Sequence, residues 1–446
     1  MSDPADARRP VIGVPMLVAA AVAAVAVLVW HVVALPIDKT YYGLFYNFAD
    51  LAAYRAAGDV VLHRGAVYGS AVLVGMEFTY PPFAGILFVP LALVSQAKAN
   101  ILWWAGTFAA LVALVALSLR SLGYALDKRA ALLSVLLAIV VTSFEPVRQT
   151  IWFGQINVFL VLLVVWDLTR ADGSRLKGIG TGIAAGIKLT PGFFVVYLAL
   201  TRQWRTCVTV VATFAATVAV GFAVMPSQAW LFWMAQVSNP QRVGPVDSPS
   251  NQSVNGFVAQ MLAWYDVSRF QHPDKNWVYE APLWLWLPLA LVAGVLGLAA
   301  SRVAHRLGQE LLAVVLTGQT AATVSPFSWG HHWVWFVPLF VLALHYAMTA
   351  AARWRWLVPA ALMVPVFSWL YSYYDGPEIR GAPYPIAIGF FMMPRSHDVW
   401  WNELTVPLYA GCYPAVFVIT AVAVLLAARR HRVAPPPIRD AGATDC

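Results

Sequence analysis

Charge is what this sequence has least of. Only 11% of its 446 residues are Asp, Glu, Lys or Arg, whereas soluble domains carry about 25%. By length alone the chain could form two or three water-soluble domains, but so few charges cannot cover their surfaces. Cysteine is equally scarce. Cys207, Cys412 and Cys446 have no spacing that marks a disulfide framework or a thiolate metal site. No HExxH or similar spacing of histidines and carboxylates marks a metal centre either. A clear internal repeat is also absent, which weighs against the repeat architecture common in transporters.

Apolar residues are plentiful, at 60% of the chain, and segments rich in them run almost its whole length. That surplus has to face lipid. The expected class is an all-α polytopic membrane protein of about 10–12 transmembrane helices. One membrane domain is expected over residues 1–430, with a disordered cytoplasmic tail over 431–446 that contains Pro435, Pro436 and Pro437. The net charge of +8 does not point to nucleic acid, because the arginines sit in short loops between apolar segments, as the positive-inside rule requires. Val11 to Leu35 is too long for a signal-peptide core and no cleavage site follows it, so it reads as a retained first span.

Loop charge sets the expected topology. Arg8 and Arg9 place the N-terminus in the cytoplasm, and Pro36 to Glu77 then forms a long first outer loop. Ala130 to Thr142 runs outward, Ser143 to Asn157 turns, and Val158 to Leu168 returns to a basic loop with Arg170, Arg175 and Lys177. Ile179 to Leu200 has basic residues beyond both ends. Either it is a helix broken at Lys188-Leu189-Thr190-Pro191 that re-emerges on the side it entered, or it is one kinked span. From Cys207 the alternation is regular and ends with a cytoplasmic C-terminus. Tyr80 to Leu119 is long enough for two spans, although the flanking charges ask for an odd number of crossings.

On this topology, polar residues from distant parts of the chain meet at the outer face. They are Asp50, Tyr54, Arg55 and Asp59, followed by Tyr80; Glu145, Arg148, Gln155 and Asn157; Lys188; Asn251 and Asn255; and His331 and His332. Ionisable groups at membrane depth are costly and mark functional sites. Each group also has a purely structural reading. Asp50 could cap a loop helix, and Asp59 could be a solvated loop charge. Glu145 and Arg148 could pair with each other. The histidines could belong to the aromatic belt of Trp329, Trp333 and Trp335.

The ordered set of motifs resembles glycosyltransferase family 87 of the GT-C superfamily. It comprises Asp50-Leu51-x-x-Tyr54-Arg55-x-Ala57-Gly58, Gly65-x-x-Tyr68, Thr79-Tyr80-Pro81-Pro82, Gly154-Gln155-Ile156-Asn157 and Lys188-Leu189-Thr190-Pro191. Asn251-Gln252-Ser253-x-Asn255-Gly256 and Ser328-Trp329-x-His331-His332-Trp333 complete it. The resemblance covers about residues 50 to 335 and implies an inverting α-mannosyltransferase. Its donor would be a polyprenyl-phosphate sugar and its acceptor a lipid-anchored glycan of the phosphatidylinositol-mannoside or lipomannan type, at the periplasmic face. Asp50 then matches the catalytic base. Tyr54, Arg55, Tyr80, Glu145, Gln155, Asn157, Lys188, Asn251, Asn255, His331 and His332 would bind substrate, and Lys188 with the histidines would hold the donor phosphate. The resemblance implies no cofactor and no metal. The partners are the lipid donor, the lipid acceptor and membrane lipids. Transfer of arabinose or another sugar stays open, as does a non-enzymatic flippase or transporter of lipid-linked sugars.

Overall fold

The computed structural model describes residues 10–34, 37, 43–73, 75–238, 243–273, 277–372 and 386–433. Arg8, Arg9 and residues 434–446 of the expected tail lie outside the described residues, as do parts of the two long expected outer loops.

An apolar chain in lipid must satisfy its backbone within itself, and the helix does so segment by segment. Among the described residues five helices are long and apolar enough to cross a membrane: Val14–Val33 (α1), Gln96–Ser121, Trp204–Val224, Leu283–Arg306 and a C-terminal stretch over Cys412–Arg429. Only 22% to 33% of each is buried against protein, so most of their surface requires lipid. On α1 the exposed Val18, Val22, Val25 and Val29 form that surface, while Ala20, Ala24 and His31 face inward.

The remaining helices fill in the order. Ala49–Leu62 (α2) lies in the first long loop. Pro82–Leu87 (α3) and Val89–Ala92 (α4) are short, and the long span Gln96–Ser121 (α5) follows them. The segment expected to hold two spans therefore holds one crossing, and its extra apolar length lies in α3 and α4. Lys128–Val140 (α6) packs beside α1. The expected turn after it is itself helical: Glu145–Phe153 (α7) meets Asn157–Leu168 (α8) at a bend of 120°.

Ile179–Ile187 (α9) ends where Lys188 adopts extended backbone. A tight turn over Thr190–Phe193 leads into Phe194–Leu200 (α10), then Trp204–Val224 (α11). Gly178 lies against Thr206, Gly182 against Thr213 and Gly186 against Thr217. Thus α9 and α11 run side by side in the same direction, starting from one end. Since α10 finishes just before α11 begins, the chain between Gly178 and Trp204 enters and leaves at that end. This is the re-entrant arrangement, and it places Lys188 at its tip. Asp167, at the end of α8, fixes the entry. Its carboxylate accepts from the Gly178 N–H at 2.9 and 3.0 Å, from the Thr181 N–H at 2.9 Å and from the Thr181 hydroxyl at 2.8 Å.

After Pro226–Leu231 (α12) and Val254–Trp264 (α13), the chain passes through Leu283–Arg306 (α14), Glu310–Val324 (α15), Phe336–Met348 (α16) and Leu357–Val366 (α17). It ends in Asn402–Ala410 (α18) and Cys412–Val433 (α19). Three two-stranded antiparallel hairpins, at 71–77, 271–279 and 370–388, are the sheets among the described residues. The all-α polytopic class is the observed one. Among the described residues five full-length spans stand against the about ten to twelve expected, because α6, α8 and α15 to α17 are short.

Contacts bring the basic loops to one end. The Arg129 guanidinium donates to the Ile12 carbonyl at 3.2 Å, Tyr124 meets His345 at 3.1 Å, and Tyr197 donates to Glu310 at 2.7 Å, with His305 2.6 Å from the same carboxylate. The polar clusters collect at the other end.

Candidate active site

A cavity of about 1270 Å³ opens at that other end. Asp50, Tyr80, Glu145 and Gln155 line it together with Lys188, Asn255, His331 and His332. Eight of the twelve residues singled out from sequence thus share one space, although they come from segments up to 282 positions apart in number.

Asp50 stands in the first turn of α2, where the positive end of the helix dipole favours a carboxylate. The start of α2 is pinned by Phe48, whose left-handed backbone (φ 50°) aims its N–H at the Trp152 carbonyl 2.8 Å away. Opposite it, the corner between α7 and α8 comes unusually close. Gly154 has φ +70°, and a Cβ there would sit 2.6 Å from the Leu51 Cβ, so only glycine allows the approach. The next residue, Gln155, donates from Nε2 to Asp50 Oδ2 at 2.7 Å. Its Oε1 lies 2.9 Å from the Tyr54 hydroxyl and 3.0 Å from the Tyr80 hydroxyl, and these two phenols are 2.7 Å apart. Tyr54 therefore acts from behind the wall. Burial raises the Asp50 carboxyl to about 6, while the Gln155 hydrogen bond and the Lys188 charge pull the other way.

Lys188 reaches into the cavity from the re-entrant tip. Its ammonium donates to Asn157 Oδ1 at 3.0 Å and lies 3.0 Å from His332 Nε2. An ammonium has only protons to offer, so Nε2 must be the acceptor and Nδ1 carries the ring proton. Burial first, then the Lys188 charge, hold the His332 imidazole well below its usual pKa, which agrees with a neutral ring. Among the described residues two of the three Lys188 protons have acceptors, and the third is left for the cavity. Asn157 also donates to the His331 carbonyl at 2.9 Å, fixing the histidine segment against α8. An apolar recess of about 40 Å³ opens behind Lys188, between Pro191, Phe194, Ala321 and Trp335.

Glu145 is buried, and Tyr413 from α19 donates to it at 2.6 Å. Gly330 passes so close that a Cβ there would lie 2.3 Å from Glu145 Oε1. Asn255 donates to the Pro326 carbonyl at 3.2 Å, and its own Oδ1 has no partner among the described residues.

Four of the twelve do not line this cavity: Tyr54 and Asn157 hold residues that do, and Arg55 and Asn251 are turned to other partners. Arg55 points to the far side of α2, where it donates to the Leu91 carbonyl at 2.9 Å, the Val94 carbonyl at 2.6 Å and Gln96 at 3.1 Å, tying the loop helix to the chain leading into α5. Asn251 lies wholly inside the protein. It donates to the Val246 carbonyl at 2.9 Å and accepts from Ser253 and from the Ser328 N–H. Asp59 is exposed and pairs with His63 at 3.4 Å, outside the cavity. Sequence reasoning missed Gln149, Glu280 and Met392 in the lining, and Tyr413. Among the described residues no group of three or more His, Cys, Asp or Glu is placed to hold a metal ion.

Across the cavity, one carboxylate held by an amide and one ammonium held by two acceptors offer a proton acceptor and an anion site. That is what displacement at a sugar–phosphate bond needs. The sequence pattern of glycosyltransferase family 87 matches residues 78–326. The chain is 33% identical over 341 residues to the polyprenol-phosphate-mannose-dependent alpha-(1-2)-phosphatidylinositol pentamannoside mannosyltransferase of Mycolicibacterium smegmatis, covering 73% of this chain and 77% of that protein. It is 34% identical over 350 residues to the enzyme of the same name from Mycobacterium tuberculosis, covering 73% and 74%. A polyprenol-phosphate-mannose-dependent alpha-(1-2)-phosphatidylinositol mannoside mannosyltransferase of Mycobacterium tuberculosis is 27% identical over 395 residues, 84% of each chain. No solved structure matches.

Proposed function

The chain belongs to glycosyltransferase family 87, and from that premise we propose that it transfers an α-mannosyl residue from polyprenyl-phosphate mannose to a phosphatidylinositol mannoside or related lipid-anchored glycan. The observation that carries the reading is the pairing of Asp50 and Lys188 in one cavity of about 1270 Å³, in a chain whose relatives are named for that donor and that acceptor class.

The reaction follows from the side chains. The acceptor hydroxyl attacks the anomeric carbon while Asp50 removes its proton, and the carbon–oxygen bond to the phosphate breaks with its electron pair staying on the phosphate. One displacement inverts the centre, so a β-linked donor gives an α-linked product. Negative charge gathers on the leaving phosphate, and the uncommitted Lys188 N–H is the group best placed to answer it. His332 supports the step through Lys188. His331, Tyr80, Glu145 and Asn255 line the space for sugar hydroxyls, and the apolar recess behind Lys188 suits the first carbons of the prenyl chain.

The topology proposed with this is one membrane domain through residue 430, a cytoplasmic tail, both termini cytoplasmic and the cavity periplasmic. Its basis is the gathering of basic loops at the end away from the cavity.

The test is to incubate purified protein in detergent or liposomes with labelled polyprenyl-phosphate mannose and phosphatidylinositol mannosides of increasing size. The expected product gains one mannose in an α-(1-2) link. No transfer to any of these acceptors, with transfer from another polyprenyl-phosphate sugar, would replace mannose. Movement of the intact donor across the bilayer without transfer would replace the enzyme by a flippase.

A further inference from the structure

Gln155 borders the cavity, but its side chain faces the protein's own groups. Three short contacts join its Oε1 to the hydroxyls of Tyr54 and Tyr80 and those hydroxyls to each other, at 2.9, 3.0 and 2.7 Å. Two phenols have two protons to place. One phenol therefore donates to the other, which donates to Oε1. In either direction the carbonyl is an acceptor at that point. Turning the amide over would set Oε1 against the Asp50 carboxylate, lone pair to lone pair, so both ends fix its orientation. Tyr54 is itself held by stacking on Phe88, with ring centroids 4.4 Å apart, and Tyr80 by Tyr68, whose hydroxyl donates to its carbonyl at 2.7 Å.

We infer that Gln155 is a positioning residue for the general base: anchored by Tyr54 and Tyr80, it grips Asp50 by Oδ2 alone and leaves Oδ1 to take the acceptor's proton. The inference rests on the reading of Asp50 as the base. It moves Gln155 from sugar binding to control of the base, which gives it a distinct signature. A hydrogen bond donated to a carboxylate favours the charged form, so losing it must raise the pH at which Asp50 becomes active. A contact to the sugar would instead appear in the acceptor KM.

Other charges bear on the same titration. Lys188 faces Asp50 and favours its ionised form. Tyr54 shares its helix, as do Arg55 and Asp59, whose side chains turn away. Tyr80 precedes α3. Glu145 and Arg148 on α7, Glu77 in the first hairpin, Lys98 and, at the far end, Arg120 on α5, Glu280 in the cavity wall, and His331 and His332 across the cavity are further ionisable groups on the neighbouring elements. Loss of a proton from Lys188 would lower activity as pH rises, the opposite limb, so the two effects separate.

The experiment compares pH–rate profiles of kcat/KM for the wild type, Gln155→Ala, and the double variant Tyr54→Phe with Tyr80→Phe. Gln155→Ala should move the acid limb upward by about one pH unit, about tenfold slower below the limb, with acceptor KM changed less than about twofold. The double Phe variant keeps the packing and removes the anchors, so its limb should move the same way by less. An unmoved limb in both variants, or an unmoved limb with a raised acceptor KM, overturns the inference. If Gln155→Ala does not yield folded protein, the double Phe variant decides alone by the same criterion. Asp50→Asn is run alongside: full activity there would remove the base assignment itself, a failure distinct from an inactive Asp50→Asn with an unmoved limb.

Discussion

Asp50 carries the cost of its position, since burial lifts its carboxyl to about 6 and only the ionised form can accept a proton. Transfer should therefore rise with pH through about 6 and hold above it until Lys188 loses its proton, as a plot of initial rate against pH would show. Asp50→Asn should slow transfer by about 10² or more while labelled donor still binds. At this scale the sequence was informative wherever an ionisable residue interrupted apolar surroundings, as at Asp50, Lys188 and His332. It misled at Arg55 and Asn251, where a polar residue within a family-like motif answers buried carbonyls rather than a ligand. Tyr413 gave no usable signal, because a tyrosine heading an apolar run looks like any interfacial aromatic.

Two joints between elements set the geometry of the site. The first is the corner at Gly154. Gly154→Ala would place a Cβ at φ +70° and 2.6 Å from Leu51, at a cost of about 1–3 kcal/mol for the backbone alone. A lower thermal unfolding midpoint is expected, together with a kcat loss as the start of α2 is pushed away. The second joint is the cap that Asp167 places on α9. Asp167→Ala would leave two backbone donors and the Thr181 hydroxyl buried without partners, at roughly 1–3 kcal/mol each. Thermal unfolding should show the loss. Activity should fall too, although Asp167 sits at the end of the protein away from the cavity, because α9 leads directly to Lys188. Basic residues on both flanks and Pro191 left a broken helix and one kinked span as the two readings of this hairpin, and the packing of α9 along α11 decides for the break. The 80–119 stretch was not legible, since α3 and α4 add apolar length that composition cannot tell from a second crossing.

For the whole molecule, the proposed orientation has a direct check. Ser248 lines the cavity, so with Cys207 and Cys412 buried and Cys446 replaced by Ser, a cysteine placed there should be labelled by a membrane-impermeant thiol reagent in intact cells. Labelling only after lysis would invert the topology. The clasp between Glu145 and Tyr413 has a further consequence, which concerns time. In chain order the base at residue 50 comes first, the cation at residue 188 follows, then the histidines after 330, and the clasp comes with α19. A chain still being threaded into the bilayer therefore carries a carboxylate and an ammonium in an enclosure that lacks α19. A stop placed after Gly411 should give a protein that still inserts its earlier spans, as protease protection would show, yet transfers no sugar. Adding the missing helix as a separate polypeptide should restore part of the rate, which would identify α19 as the piece that closes the enclosure.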